Sequence, residues 1–165
     1  MTQIERITTE YIDVEDRIRI AGEVQGDAAV VIWLTQRLLT RLLPPLLQWL
    51  EGQEQHTLHA EILHSFAQHT AWAALTPEPS VRADAGSIAW LALSVDIAHY
   101  AEAVVLTFRG AHDNHASLTL ATQPLRQWLG ILHDATRRAE WPLKVWPQWL
   151  QESIAPQQRQ AVVLH

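Results

Sequence analysis

The sequence GAHDNH places His112 and His115 on either side of an aspartate and an asparagine. Two imidazoles at this spacing could bind zinc if a distant carboxylate, such as that of Asp96 or Glu102, supplied a further ligand. Aspartate and asparagine are also common in hairpin turns, because both tolerate left-handed backbone geometry. The pattern therefore favours a turn, with a metal site as the alternative.

Four more histidines, His56, His59, His64 and His69, lie in or next to one predicted helix. Metal ligands on one helix share a face only at spacings of three or four residues. At 100° per residue, His59 and His69 are about 80° apart, whereas His64 lies about 140° from either. The set is predicted to be solvated or locally hydrogen-bonded, and His56 or His59 is the alternative third ligand for the GAHDNH pair.

Other groupings that could support catalysis are weak. His133 and Asp134 form the His-Asp dipeptide of a class of all-helical phosphohydrolases. Those enzymes need further histidine and aspartate ligands on other helices, and a chain rich in strands does not supply such helices. The sequence contains neither a G-x-S-x-G nucleophile elbow nor a phosphate-binding glycine pattern. Asp96 alternates with Val95 and Ile97 in an apolar strand, which predicts that its carboxylate faces solvent. These patterns favour a protein without enzymatic activity, and no cofactor is predicted.

Three of the eight tryptophans fall in the sequence EWPLKVWPQWL. Trp141, Trp146 and Trp149 are interleaved with Pro142 and Pro147, and segments stiffened by proline lose little conformational entropy on docking. Tryptophan is enriched at the dominant positions of protein interfaces. These five residues are predicted to form a contact surface, which packs on the chain's own domain, on a second copy or on another protein.

Composition narrows the class of protein. A chain of 165 residues with 48% hydrophobic and 18% charged residues can bury a core as one domain. It has no cysteine, which excludes disulfides and thiolate metal sites. The net charge of −6 disfavours nucleic acid as a partner. The first residues, MTQIERITTEYI, do not resemble a signal peptide, and no stretch is apolar enough to span a membrane, so a cytoplasmic protein without a membrane partner is expected.

The chain divides into strands, helices and strands again. DRIRIAGEV alternates with a period of two and AAVVIWL is apolar throughout, so both are predicted as strands, after a weaker strand at RITTEY. SIAWLALSVDIAHY, AVVLTFRG and ASLTLAT are predicted as three more strands. TQPLRQWLGILHDATRRAEW carries a helical stripe that Pro142 ends.

Residues 35–75 are predicted as an inserted helical pair. Leucines recur in pairs from Leu38 to Leu50, with Thr35 as the N-cap, and Pro44 and Pro45 predict a kink or two short helices. A second helix is predicted from about residue 54 to residue 75, and its stripe predicts that four side chains are buried: Leu58, Ile62, Phe66 and Ala73.

Grouped strands joined by hairpins favour an α+β fold. The prediction is an antiparallel, sandwich-like sheet of about six strands with an inserted helical hairpin and a C-terminal helix. Residues 1–141 form this single domain, and residues 142–165 form a tryptophan- and proline-rich tail.

This order of elements resembles the globular heads of the end-joining DNA-repair scaffold proteins and of the centriole cartwheel assembly protein. Those heads are small β-sandwiches with a helix-turn-helix inserted midway and a helix that leaves the last strand. The parallel runs from Ile4 to Trp141, with AVVIWLTQ before the insert and AVVLTFRG to LRQWLGIL as the last strands and exit helix. The resemblance implies a scaffold associated with nucleic acid. In that superfamily the exit helix continues into a dimeric coiled coil, whereas Pro142 and Pro147 end it here.

Three functional hypotheses follow. The first is a non-enzymatic protein-interaction or assembly module, expected to be a homodimer, which uses the helical pair or the tryptophan tail as its contact surface. The second is a metal-dependent hydrolase that uses His112, His115 and a further histidine or carboxylate. The third is a nucleic-acid-associated scaffold.

Overall fold

The computed structural model describes residues 2–26, 28–53 and 59–152, and within these ranges the chain is an α+β protein. Its strands are Thr2–Ile12 (β1), Arg17–Val24 (β2), Val30–Leu34 (β3), Ile88–Leu91 (β4), Ser94–His99 (β5), Ala103–Arg109 (β6) and His115–Ala121 (β7). Its α-helices are Gln36–Gln53 (α1), Ala60–Ala73 (α2) and Thr122–Arg138 (α3), and a 3-10 helix spans Asp13–Glu15. A last helical segment begins at Gln148 and is described as far as Glu152. No helix in these ranges combines the length and apolar character needed to cross a membrane.

The strands form one mixed sheet in the order β4-β3-β2-β1-β7-β6-β5. The α+β class is confirmed, but the prediction of an antiparallel sandwich of about six strands is wrong, because β1 pairs with β7 and β3 pairs with β4 in parallel. Parallel neighbours need a long crossover, and the helical pair supplies it between β3 and β4. Alternation in a sequence predicts a strand and its buried face but not its neighbour, so these pairings could not be found from the pattern.

The sheet curls into a half-barrel because one continuous run of the chain forms both of its edge strands, β4 and β5. β4 pairs with β3, and after only Ala92 and Leu93 the same run continues as β5 and pairs with β6. At this corner the Ala92 amide donates to the Trp33 carbonyl at 3.0 Å, and the Leu93 amide donates to the Arg109 carbonyl at 2.7 Å. The sequence predicts one strand here, and the bend at the corner leaves the Leu93 side chain exposed.

Helix α1 packs into the apolar core. Thr35 is its N-cap, as predicted, since the Thr35 hydroxyl accepts a hydrogen bond from the Leu38 amide at 3.2 Å. Its buried residues join the inward side chains of the sheet: Leu39, Leu42, Leu43, Leu46, Leu47 and Leu50.

The predicted alternative of two short helices at Pro44 and Pro45 is wrong, because α1 runs through both prolines as one helix. The other alternative, a kink at the prolines, stays a prediction. Proline removes the hydrogen bond to the carbonyl four residues earlier. Those carbonyls belong to Thr40 and Arg41, which are exposed, so water can take the place of the missing donors. The leucines that flank the prolines stay buried, and their packing holds the helix together.

Helices α2 and α3 approach closely at Gly130. A Cβ atom at this position would lie 2.5 Å from Cε3 of Trp72, well inside van der Waals contact. Gly130 therefore lets the indole of α2 lie against the backbone of α3, and this contact fixes the distance between the two helices.

We expect Gly130→Ala to lower the free energy of unfolding by about 1–2 kcal/mol, because overpacking against Trp72 outweighs the better helix propensity of alanine. Gly52→Ala is the matched control, since Gly52 is also helical and, apart from its chain neighbours and its own helix backbone, no atom of the described residues lies within 4 Å of its added Cβ. That variant is expected to gain up to about 1 kcal/mol. Urea denaturation measures both, and equal gains in the two variants would contradict the close approach of α2 and α3.

Candidate functional site

The GAHDNH sequence forms a tight turn between β6 and β7. His112 and Asp113 have φ values of 55° and 60°, the left-handed geometry expected of a turn. The Gly110 amide donates to the Asn114 carbonyl at 2.8 Å, which closes the turn. Nδ1 of His115 lies 2.8 Å from the Asp113 carbonyl, so this imidazole is engaged with its own turn.

The other predicted ligands do not converge on this turn. Asp96 is exposed, as its strand parity predicts, and forms an ion pair with Arg109 on the neighbouring strand. His59 is exposed just before α2, and Glu102 is exposed in the turn between β5 and β6. Among the described residues, no three histidine, aspartate or glutamate side chains lie close enough together to bind a metal ion. His56 lies outside the described residues.

Helix α2 exposes two of its large apolar residues and buries two polar ones. Ile62 is 66% exposed and Phe66 is 71% exposed, whereas His64 and Gln68 are 2% and 0% exposed. The prediction of burial is therefore wrong for Ile62, Phe66 and Ala73, which are all exposed, and Leu58 lies outside the described residues. Both pairs have the same four-residue spacing, and they lie on faces about 160° apart. The periodicity identifies the apolar stripe, but it cannot tell which face the rest of the fold covers.

Hydrogen bonds to Arg126 of α3 hold the inner face of α2. The Gln68 side-chain amide donates to the Arg126 carbonyl at 2.7 Å, inside the protein. Nη2 of Arg126, a residue only 4% exposed, lies 3.1 Å from Nδ1 of His64. Guanidinium groups only donate, so Nδ1 of His64 accepts this hydrogen bond, and the imidazole is neutral with its proton on Nε2. The side-chain amide of Gln127 adds a bond to the Ala71 carbonyl at 3.0 Å.

The tryptophans of EWPLKVWPQWL are buried against the chain itself. Trp141, Trp146 and Trp149 are 7%, 3% and 5% exposed. Each indole N–H has a partner elsewhere in the fold, and the three acceptors are Asp16, Thr136 and Glu51. Pro142 is exposed, and the half-buried Pro147 opens the last helical segment, where its carbonyl accepts a hydrogen bond from the Leu150 amide. A contact of this segment with a second molecule stays a prediction.

Trp141 belongs to a small polar network at the start of β2. The Asp16 carboxylate accepts hydrogen bonds from the Tyr11 hydroxyl at 2.7 Å and from the Trp141 indole at 3.0 Å. The hydrogen bond to Asp16 raises the pKa of Tyr11 to about 12, and the same bond, followed by that from Trp141, lowers the pKa of Asp16. The network ties the tryptophan segment to the opposite end of the sequence.

Trp149 contacts the buried His64 and Arg126 and also lines a surface groove. Its ring lies 5.2 Å from the His64 ring, and the Arg126 guanidinium lies 5.4 Å from its centre, a cation–π contact. The same tryptophan also lines a groove of about 480 Å³. The other lining residues come from α2 and from the last helical segment: Glu61, Ile62, Ser65, Phe66, His69, Gln148 and Glu152.

The exposed apolar face of α2 and this groove together form the candidate functional site, called the α2 surface below. The sequence predicts the helical pair as a contact surface but assigns Ile62 and Phe66 to the core. No family model, curated protein or solved structure matches this chain.

We expect Trp146→Ala to lower the free energy of unfolding by about 3–5 kcal/mol, because it removes a buried aromatic side chain from the core. Lys144→Ala is the matched control, since Lys144 is exposed in the same segment and should change stability by less than about 0.5 kcal/mol. Guanidinium denaturation followed by circular dichroism measures both variants. Equal midpoints would show that the tryptophan segment is not part of the folded core.

His133 should make the protein less stable in mild acid. Burial, followed by the nearby Arg137 charge, lowers the pKa of His133 from its usual 6.5. Its ring packs edge-on against Trp146 at 5.3 Å, and no described group hydrogen-bonds to either ring nitrogen. The unfolded chain therefore binds this proton more readily, and stability falls as the pH drops from 6.5 towards the folded pKa.

His133→Phe is expected to remove this contribution, which is at most about 1.4 kcal/mol per pH unit for one proton. His99→Phe, at an exposed position on β5, serves as the control and should keep the wild-type slope. The slope is measured from urea midpoints between pH 6.5 and pH 5. This interval lies above pH 3.8, the ordinary pKa from which that of Asp16 is lowered. An unchanged slope in His133→Phe would contradict the effect of burial on this histidine.

Proposed function

We propose that this protein is a non-enzymatic protein-interaction module whose contact site is the α2 surface. The observation that carries the proposal is the outward orientation of Ile62 and Phe66 on a helix that buries His64 and Gln68 instead. Leu63, 41% exposed, extends the same apolar face. Contiguous apolar surface of this kind marks sites where another protein binds.

The internal bonds of α2 support the proposal. If α2 were frayed, the exposure of its apolar side chains would reflect a loosely held helix and not a binding surface. Here Gln68, His64 and Trp72 attach α2 to α3 through two buried hydrogen bonds and a close aromatic contact. The outward face of α2 is therefore presented on a fixed frame, which limits the entropy lost on binding.

The distribution of exposed apolar residues also supports this site. Among the described residues, the other large apolar side chains that are mostly exposed lie on other elements: Val14, Ile88, Leu93 and Tyr100. Single apolar residues at a surface are ordinary. Ile62 and Phe66 differ because they lie one turn apart on the same helix and border a concave groove. A ridge beside a groove is the geometry by which helices recognise each other.

The order of elements supports an assembly role as well, through its resemblance to the heads of the repair scaffold and cartwheel proteins. Helix α3 ends at Arg138, so the dimeric coiled coil of that superfamily does not follow from it here. An assembly role for this chain would need another contact surface, and α2 offers one.

A photo-reactive phenylalanine analogue at position 66, introduced into the full chain in its native cells, tests the proposal. We expect discrete covalent adducts on irradiation, and we expect Ile62→Lys to abolish them because it disrupts the neighbouring contact. The same analogue at position 14 is the matched control, since Val14 is 92% exposed on another element and should give no discrete adduct. Absence of adducts at position 66, or equal adducts at positions 66 and 14, would contradict the proposed function.

A further inference from the structure

We infer that the partner of the α2 surface is a second copy of this chain, bound through antiparallel packing of α2 on α2. This inference rests on the proposed function and names its partner. The two copies would be related by a two-fold axis that crosses the helix pair at the level of His64. Such an interface is isologous, so the same residues serve both sides.

The spacing of the apolar residues fits this symmetry. In an antiparallel pair centred at this level, Ile62 of one copy lies opposite Phe66 of the other, and the reverse contact follows from the two-fold axis. The two residues are four positions apart, one helical turn, so both contacts form on the same face. A medium-sized side chain then meets a large one at each site, which is the alternation that fills a helix interface.

The groove beside α2 gives each copy a place to receive the other. It lies between α2 and the helical segment that begins at Gln148, and its volume of about 480 Å³ exceeds that of one aromatic side chain. Phe66 projects beside it and is 71% exposed. The α2 surface thus carries both a projecting side chain, Phe66, and a groove. A second copy carries the same two features, so each copy can insert its side chain beside the groove of the other.

The polar groups of the α2 surface also fit this symmetry. Glu61 and His69 both line the groove, eight residues and about 12 Å apart along the helix. In the antiparallel arrangement, Glu61 of one copy falls within one turn of His69 of the other. A carboxylate accepts a hydrogen bond that an imidazole N–H can donate, so the surface carries a donor and an acceptor for the same contact.

Light scattering after size exclusion tests the inference on the full chain. The monomer mass is 18.7 kDa, and we expect twice that mass at micromolar concentration. Ile62→Glu and Phe66→Lys should each raise the dimer dissociation constant at least about thirtyfold, because each replaces a central apolar contact twice in the symmetric pair. Val14→Lys should leave the dimer intact. Circular dichroism checks that every variant is folded.

Mixing Ile62→Glu with Phe66→Lys tests the register. The proposed register places the new carboxylate of one chain opposite the new ammonium of the other and leaves the second contact native, so the dimer mass should return. Mixing Ile62→Glu with Ile62→Lys is the control, because those positions are offset by about 6 Å along the pair and each faces a phenylalanine. Recovery in the first mixture alone supports the inference, and equal or absent recovery in both overturns it.

The outcomes separate this inference from the proposed function. A full chain that is monomeric at the highest concentration overturns the inference, while adducts of some other mass at position 66 would leave the interaction role in place. A monomer whose cross-links at position 66 fall within its own chain, for example on residues 153–165, overturns both. A dimer that survives Ile62→Glu and Phe66→Lys also overturns the inference, since its interface would lie elsewhere.

Discussion

The hydrogen bonds that Gln68 and His64 form with Arg126 hold the face of α2 that carries these two residues against α3. A buried hydrogen bond contributes only about 1 kcal/mol net, but a buried polar group without a partner costs about 1–3 kcal/mol. If α2 turned its apolar face inward, Gln68 and His64 would move to the surface, and the buried Arg126 would lose these two hydrogen bonds. Ile62 and Phe66 would each gain about 1.5–3 kcal/mol from full burial. The fold forgoes that gain within one chain, and an assembly can recover it.

Trp149 connects this interior cluster to the surface. Its ring contacts His64 and Arg126, and the same residue lines the groove beside Phe66. A single aromatic residue thus contacts both a buried guanidinium and the site proposed for a partner. The rest of the tryptophan segment packs on the chain's own core. Its three indole N–H groups donate hydrogen bonds to acceptors within the chain.

Much of the secondary structure follows from local pattern alone. Thr35 caps α1, Asp96 faces solvent, and the stripe of α3 ends before Pro142, because capping, strand parity and proline act over a few residues. The parallel pairings of the sheet could not be predicted, since they join segments far apart in the sequence and depend on which edges the crossover brings together. The unbroken α1 depends on leucine packing that compensates for Pro44 and Pro45.

The candidate site was harder to predict from the sequence than the fold. An apolar stripe on a helix normally indicates the buried face, and this rule assigns Ile62 and Phe66 to the core. The opposite face carries a second pair at the same spacing, His64 and Gln68. Their burial depends on hydrogen-bond partners on α3, and the sequence of α2 does not reveal those partners. The tryptophans are conspicuous in the sequence, but whether they cover their own chain depends on acceptors as remote as Asp16 and Glu51.

The orientation of α2 can be measured directly, because the chain has no cysteine of its own. Phe66→Cys and Gln68→Cys would each be labelled with a thiol reagent at nanomolar protein, where association is minimal. An outward apolar face predicts that the thiol at position 66 reacts as fast as a free cysteine and that the thiol at position 68 is strongly protected. Protection at position 66 with fast labelling at position 68 would show that α2 buries its apolar face, which would contradict both the proposed contact surface and its partner.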